Sequence, residues 1–452
     1  MKKLLFAFLL ALPFVAAAQQ APILNVREIV ASDRNKAAGC EGPYRYDATP
    51  QTPAPKGYAP FYISHYGRHG SRYAWNDDTY TVIRNVLQAA KDAGSLTETG
   101  ELFYDRYMDF YKIPLINYGD LTELGREQHW NIAAEMCARF PEVFADGGKF
   151  LARSSTSPRA ITSMSAFCAS VQKSAPKAEV VTNSLHTNMC VINPPEAPDE
   201  LFRDFEGKLR PIDGSALADM RTKHYDDILG RFFSDRGFLE EIGGRKKFID
   251  ELFMLWSGYH NYCSEDLFEF VFSDEEIVDF WEYENYRLYL SHSSDRYLMI
   301  PLLEDIIDNA QAAIGGSEWK GHFRFGHDTV LNAIIPLLNL NGSGYQPERS
   351  EEVKYWFQNF NVPKAANIQF VLYKSKKNPE VLFKVLLNGS EATLPQLEPV
   401  SGPYYRWTDF VYWAQQVFAA HPSAVAANTT MLGFFGSVTS VAPSTGTLRR
   451  YM

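Results

Sequence analysis

Three segments of this 452-residue chain share one pattern: an apolar strand runs into a sharp turn and then a helix. The first is Phe61-Tyr62-Ile63-Ser64-His65-Tyr66, followed by Gly67 and the run Arg68-His69-Gly70-Ser71-Arg72. The second is Lys149-Phe150-Leu151-Ala152-Arg153, then a Ser/Thr turn, then Pro158-Arg159-Ala160. Ser157 suits an N-cap and Pro158 the first helical position, which puts Arg159 in a first helical turn. The third is His322-Phe323-Arg324-Phe325-Gly326, then His327-Asp328-Thr329 and an apolar run from Val330 to Leu338. Asp328 or Thr329 is the expected cap of that helix. Strands feeding helices predict an α/β sheet, and such sheets bind ligands at the carboxyl ends of their strands. The three turns are then expected along one edge of the sheet. The plain alternative is three unrelated strand-to-helix loops.

Further strands are expected at Glu179–Thr182, Ile368–Tyr373 and Val381–Leu387. Between residues 193 and 293 helical periodicity dominates, as in Ala216–Phe233 and Asp274–Tyr289. The reading is a three-layer α/β sandwich with a mostly parallel central sheet flanked by helices, formed by residues 19–192 and 294–452. An inserted, mainly helical lid occupies 193–293. Two structural units also fit the length, at roughly 100–200 residues per domain. A loop-like segment rich in Ala, Pro and Gly is expected up to about Gly57.

Lys2 and Lys3, the apolar run Leu4–Val15 and Ala16-Ala17-Ala18 read as a secretory signal peptide over residues 1–18. No Cys follows it for lipid attachment, and no later stretch approaches the roughly 20 apolar residues of a membrane helix. An exported protein, periplasmic or secreted, is expected. In an oxidising compartment the five Cys residues (Cys40, Cys137, Cys168, Cys190 and Cys263) leave at least one unpaired. Their pairing stays open. The net charge of −10 argues against nucleic acid as a partner. It leaves room for an anionic small molecule drawn into an Arg-lined cleft.

Two Arg flank one His within five residues at a strand end. Arg forks match phosphate oxygens, and a neutral imidazole nitrogen can attack phosphorus. Gly70 permits close backbone approach. A solvated basic turn would look the same by itself. His65 and His69 would suggest a metal pair, but i and i+4 in a strand lie roughly 13 Å apart. No carboxylate cluster accompanies them, so no metal and no cofactor is expected.

The run Arg68-His69-Gly70-Ser71-Arg72 resembles the signature of the histidine acid phosphatases, the clade-two histidine phosphatases. The family pattern is Arg-His-Gly-x-Arg-x-Pro; here Tyr73 and Ala74 follow, with Ala74 in the place of Pro. The run looks most like the multiple inositol polyphosphate phosphatase and histidine acid phytase branch. The stretch from Gly119 to Gln128 is similar to the family's Leu-Thr-x-x-Gly-x-x-Gln, read as a capped structural helix. Arg153 to Ala160 looks like the segment with a third phosphate-binding Arg, which is Arg159; Arg153 is a candidate to stand behind it. His327-Asp328 resembles the family's His-Asp pair, where that branch carries His-Ala-Glu. Cys263 to Phe268, ahead of Asp274-Glu275-Glu276, is similar to the lid of that branch. The resemblance spans about Phe61 to Asn332.

It implies that a phosphomonoester docks among Arg68, Arg72, Arg159 and His327. His69 forms a phosphohistidine, and Asp328 protonates the leaving oxygen and then helps water attack. A protonated donor favours acidic pH. Inositol polyphosphates such as phytate are the expected substrates. Lys208, Arg210, Arg221 and Lys223 in the lid could supply positive charge, although Asp77 and Asp78 follow the motif. The alternatives are a broad-specificity acid phosphatase on sugar or nucleotide phosphates, a non-catalytic phosphate-binding protein, and a metal-dependent phosphoesterase.

Overall fold

The computed structural model describes residues 23–46, 49–196, 212–241 and 244–422. The expected signal peptide, together with Lys208 and Arg210, lies outside them. Eight strands form one sheet: β1 (Tyr58–Arg68), β2 (Gly148–Ser154), β3 (Ala178–Asn183), β4 (Trp319–Gly326), β5 (Asn367–Ser375), β6 (Leu382–Leu387), β7 (Ser390–Ala392) and β8 (Tyr405–Arg406). Their order is β3-β2-β4-β1-β5-β6-β7, with β8 beside β6.

The sheet is mixed. β3, β2, β4 and β1 are parallel neighbours, as expected for strands that feed helices. Beyond β1 the ladders are antiparallel. Short connections, which can only reverse a chain, account for the β5–β6 and β6–β7 pairs. β6 and β7 are joined by Asn388-Gly389, both at positive φ (52° and 82°), as a two-residue hairpin of the primed type requires.

Both sheet faces are covered, which the period of two in the strands makes possible. The helices that matter to the site are α1 (Asp78–Asp92), α2 (Glu98–Phe110), α3 (Glu123–Arg139), α4 (Pro158–Ser174) and α5 (Tyr225–Phe232). They are followed by α6 (Arg245–Gly258), α7 (Asp274–Ser291), α8 (Ile300–Ile314), α9 (Asp328–Leu337) and α10 (Trp407–Ala420). Tyr62, Phe370 and Phe383 point to one face and pack against α8, α9 and α10. Ile63, Val371 and Leu382 point to the other, with α3 and α4. This is the three-layer sandwich.

A separate helical core joins α1, α2, α5, α6 and α7 through Tyr80, Leu87, Phe103, Phe232, Phe253 and Trp281. It therefore draws on residues 78–110 as well as on the segment read as a lid. Tyr80, Ile83, Leu87 and Ala90 form the apolar stripe that holds α1 there. The stretch expected as one helix over Ala216–Phe233 is two, Ser215–Thr222 and α5, broken at Lys223 and His224. The segment before β1 is not simply a loop. It carries short helices at Val26–Ala31 and Arg34–Ala37 and a turn of 3-10 helix at Gly39–Glu41. Elements this short leave no periodic signal. No helix among the described residues is long and apolar enough to cross a membrane.

Candidate active site

β2, β4 and β1 lie side by side, so their carboxyl ends bring the three turns together. The His69 N–H donates to the Gly326 carbonyl at 2.9 Å, and the Ser155 N–H donates to the Phe325 carbonyl at 2.9 Å. His69 follows β1, His327 and Asp328 follow β4, and Arg159 lies in the first turn of α4 after β2. The His69 and His327 rings sit 5.5 Å apart, edge to face. A cleft of about 420 Å³ opens there, walled by Arg72, Arg159, His327 and Asp328 from the sheet edge and by Arg287 and His292 opposite.

The motif loop is held from behind by α3. The Ser71 N–H donates to Gln128 Oε1 at 2.8 Å, and Thr122 Oγ1 donates to the Ser71 carbonyl at 3.0 Å. His129 Nε2 donates to the Arg68 carbonyl at 3.0 Å. The structural role expected for the Gly119–Gln128 stretch is thus a grip on the motif itself. It also explains Gly70, whose close approach is to helix backbone: a Cβ there would lie 2.4 Å from the Gly125 carbonyl oxygen. A Cβ on Gly125 would lie 2.3 Å from the Ser71 carbonyl oxygen. Gly125→Ala is expected to lose about 1–3 kcal/mol of stability by overpacking. It should also lower turnover by displacing the loop. Unchanged denaturation midpoint and rate in that variant would contradict this account. Ala74 has a reason as well, since its N–H donates to Tyr80 Oη at 2.9 Å, a bond no Pro can make.

His69 Nδ1 lies 2.9 Å from the Gly70 carbonyl oxygen. A carbonyl only accepts, so Nδ1 carries the proton and Nε2 keeps its lone pair. Burial, with Arg68, Arg72, Arg159 and His327 nearby, holds the imidazole well below its usual pKa, so it is neutral. Burial and Arg159 likewise push His327 down to about 3. His327 is therefore neutral, with Nε2 2.9 Å from Ser155 Oγ. Arg159 makes no hydrogen bond or ion pair among the described residues, and burial beside Arg72 brings it down to about 10. A half-buried guanidinium with free donors at the cleft wall is suited to an anion.

Asp328 accepts from Arg68 Nη2 at 2.9 Å. Burial alone would raise its pKa, but Arg68, Lys364, His292 and Arg72 outweigh burial and hold it far below the carboxylate range. Its place in the first turn of α9 favours the same ionised form. Arg68 is fully buried and is also spent on backbone, donating to the Cys40 and Val362 carbonyls. Arg72 lines the cleft, with Nη1 on the Tyr73 carbonyl.

Other expectations fall elsewhere. Arg153 pairs with Asp305 at 2.6 Å, which also binds Arg324, on the sheet face towards α8. Arg221 pairs with Asp250 and stacks on Phe280, and Lys223 pairs with Glu275 and Asp279. Neither brings charge to the cleft. Asp78 pairs with Lys247, and neither it nor Asp77 lines the cleft. His65 is buried and stacked on Phe167. Neither Ser157, Asp328 nor Thr329 makes the expected cap hydrogen bond; His327 is the N-cap residue of α9, and Ser157 Oγ is buried without a partner. All five cysteines are free thiols.

Sequence reasoning missed Glu41, Lys364, Arg287 and His292. The first two form an ion pair at 2.7 Å between the cleft wall, where Glu41 stands, and the buried Lys364 behind it. Burial beside Arg68 and Arg72 pushes Lys364 down to about 7, and Lys364, Arg72 and Arg68 overcome burial to bring Glu41 down to about 2. Among the described residues two groups gather His and carboxylate atoms within 4.8 Å: His224, Glu275 and Asp279, and His260, Asp266 and Glu269. Both lie outside this cleft, and cations already hold them, Arg27 and Lys223 on Asp279 and Arg34 on Glu269.

A mixed sheet flanked by helices, with these turns on three parallel strand ends and a helical layer above, is the histidine acid phosphatase fold. No family model and no curated protein matches the sequence. Solved structures do match. The multiple inositol polyphosphate phosphatase of Bifidobacterium longum, in its apo form, aligns with a TM-score of 0.68 at 17% identity, over 82% of this chain and 96% of its own. The phytase from D. castellii aligns at 0.64 and 16% identity, over 85% of each chain. The phytase from Citrobacter braakii aligns at 0.53 and 14% identity, over 80% of this chain and 98% of its own.

Proposed function

We propose that this chain hydrolyses phosphomonoesters through a phosphohistidine on His69, with inositol polyphosphates such as phytate as its substrate class. One observation carries the reading. A neutral imidazole with Nδ1 fixed on Gly70 keeps its Nε2 lone pair beside Arg68, Arg72, Arg159 and His327. The Nε2 lone pair attacks phosphorus, the ester P–O bond breaks, and the leaving oxygen takes a proton from Asp328. Asp328, again a carboxylate, then assists the water that cleaves the P–N bond. Positioning and electrostatic stabilisation do most of the work.

Arg68 and its neighbours hold Asp328 as a carboxylate, so the proton it passes on is supplied by the substrate. A phosphomonoester monoanion carries one, with a second pKa of about 6. Protonated Asp328 then no longer competes for Arg68. The sign follows: kcat/KM is flat across mildly acidic pH, because His69 stays neutral, and it falls above about pH 6 as the monoanion disappears. The falling limb should shift between an aryl and an alkyl phosphate with the second pKa of each. A limb fixed near the Lys364 value of about 7 for both would contradict this proton route.

The substrate class is supported by the Bifidobacterium longum neighbour, which has also been solved in complex with inositol hexasulfate, and by the arginines Arg72, Arg159 and Arg287 among the cleft's lining. Glu196 and Glu284 line the same cleft and favour a second reading, a broad-specificity phosphatase acting on singly phosphorylated esters. Phosphate release from phytate, a sugar phosphate and a nucleotide decides between them. Release from the last two alone replaces the substrate reading. Phosphate binding without release from any ester would leave a phosphate-binding protein.

A further inference from the structure

Glu41 and Lys364 stand against the clamp with no part in the chemistry above. We propose that Lys364 is a positioning residue that holds the Glu41 carboxylate back from Arg72, keeping the donors this arginine turns to the cleft open to a phosphate group. The inference rests on the phosphate-clamp reading of the site.

The distances carry it. Lys364 Nζ donates to Glu41 Oε2 at 2.7 Å. The same carboxylate lies 3.7 Å from Arg72 Nη2 and 3.8 Å from Arg68 Nη2. Those two are beyond hydrogen-bond length but well within strong attraction. Glu41 therefore offsets the charge of the guanidinium groups without occupying their N–H donors. Its own best donor is behind it. Lys364 is 1% exposed and does not line the cleft, whereas Glu41 does, so the lysine acts through Glu41 and not on the substrate.

The backbone around Lys364 points the same way. Its N–H donates to the Gly42 carbonyl at 2.9 Å, which ties it to the turn that bears Glu41. The next residue, Ala365, has φ of +61°, a conformation that Ala adopts only where its surroundings demand it. The Ala365 N–H donates to the His69 carbonyl at 2.9 Å, and the Ala366 carbonyl accepts from the Arg68 N–H at 2.8 Å. One strained strap thus grips the nucleophile's backbone and delivers the lysine.

If the lysine is removed, Glu41 loses the donor that holds it back, closes on Arg72 and takes the donors a phosphate needs. The test is calorimetric titration of the folded full-length protein with inorganic phosphate at pH 5.5, where Lys364 is charged. Lys364→Met should weaken phosphate binding tenfold or more. Glu41→Gln should bind at least as tightly as wild type, and the double variant should recover wild-type affinity or better. A pair that only stabilises the fold would change melting in both single variants but not move phosphate affinity in opposite directions. Wild-type-like binding by Lys364→Met overturns the proposal, as does a double variant that stays as weak as Lys364→Met. Should Lys364→Met fail to fold, the double variant decides, and weaker binding than wild type overturns it. Turnover of p-nitrophenyl phosphate separates the two readings. A wild type that binds phosphate without turnover sinks the hydrolase and leaves this order of affinities to stand or fall alone. An active enzyme whose Lys364→Met variant binds phosphate normally sinks only the positioning role.

Discussion

His69→Ala is expected to cut phosphomonoester turnover by at least about 10³-fold while leaving phosphate binding in place. In the proposed route the imidazole supplies the bond-forming nitrogen, and none of the described residues beside it is placed to substitute. His327 is the nearest candidate, but its Nε2 is engaged with Ser155 Oγ at 2.9 Å. The arginines do not depend on His69 for their positions. Arg68 is anchored on the Cys40 and Val362 carbonyls and Arg72 on the Tyr73 carbonyl. Two measurements check the claim: steady-state hydrolysis of p-nitrophenyl phosphate, and trapping of an acid-labile phosphoenzyme in wild type but not in the variant. Substantial turnover by His69→Ala would remove the phosphohistidine route altogether.

Asp328→Asn is expected to show a loss that depends on the leaving group. An alkoxide such as an inositol oxygen is a poor leaving group unless protonated, so kcat on inositol or other alkyl phosphates should fall by roughly 10²–10⁴-fold. Nitrophenolate leaves without help, and the loss there should be under about tenfold. The amide keeps the shape and an oxygen to accept from Arg68, so the clamp survives. Equal losses on both substrates would assign Asp328 to binding rather than proton transfer.

Much of this site could be read from residues alone. The strand-turn-helix pattern placed His69, Arg159 and His327-Asp328 on three strand ends, and β1, β2 and β4 lie together in the sheet as that pattern requires. Pro158 marks the start of its helix correctly because its fixed φ is a local property. The caps did not follow from composition, because a Ser or Asp at the right position still needs its rotamer free. Asp328 spends its carboxylate on Arg68. Glu41 and Lys364 were illegible for another reason. One sits on a three-residue turn in a segment that reads as a loop, and the other is a lysine, which composition places at the surface. Only long-range packing, 323 residues apart in sequence, makes them an ion pair. The Asn388-Gly389 turn is a hairpin signal that the sequence reading passed over, and it marks the antiparallel pairing of β6 with β7 alone.

The position of β1 in the sheet has a consequence for how the chain is made. Its two partners are β4 and β5, and the first pairing, Ile63 with Gly321, spans more than 250 residues. A chain emerging from the ribosome therefore presents the strand that leads into His69, apolar on both faces, long before either neighbour exists. Until then both of its edges are open to other chains. Fragments that end before β4 should collect in the insoluble fraction, and the histidine should become competent only late, once most of the polypeptide has left the tunnel.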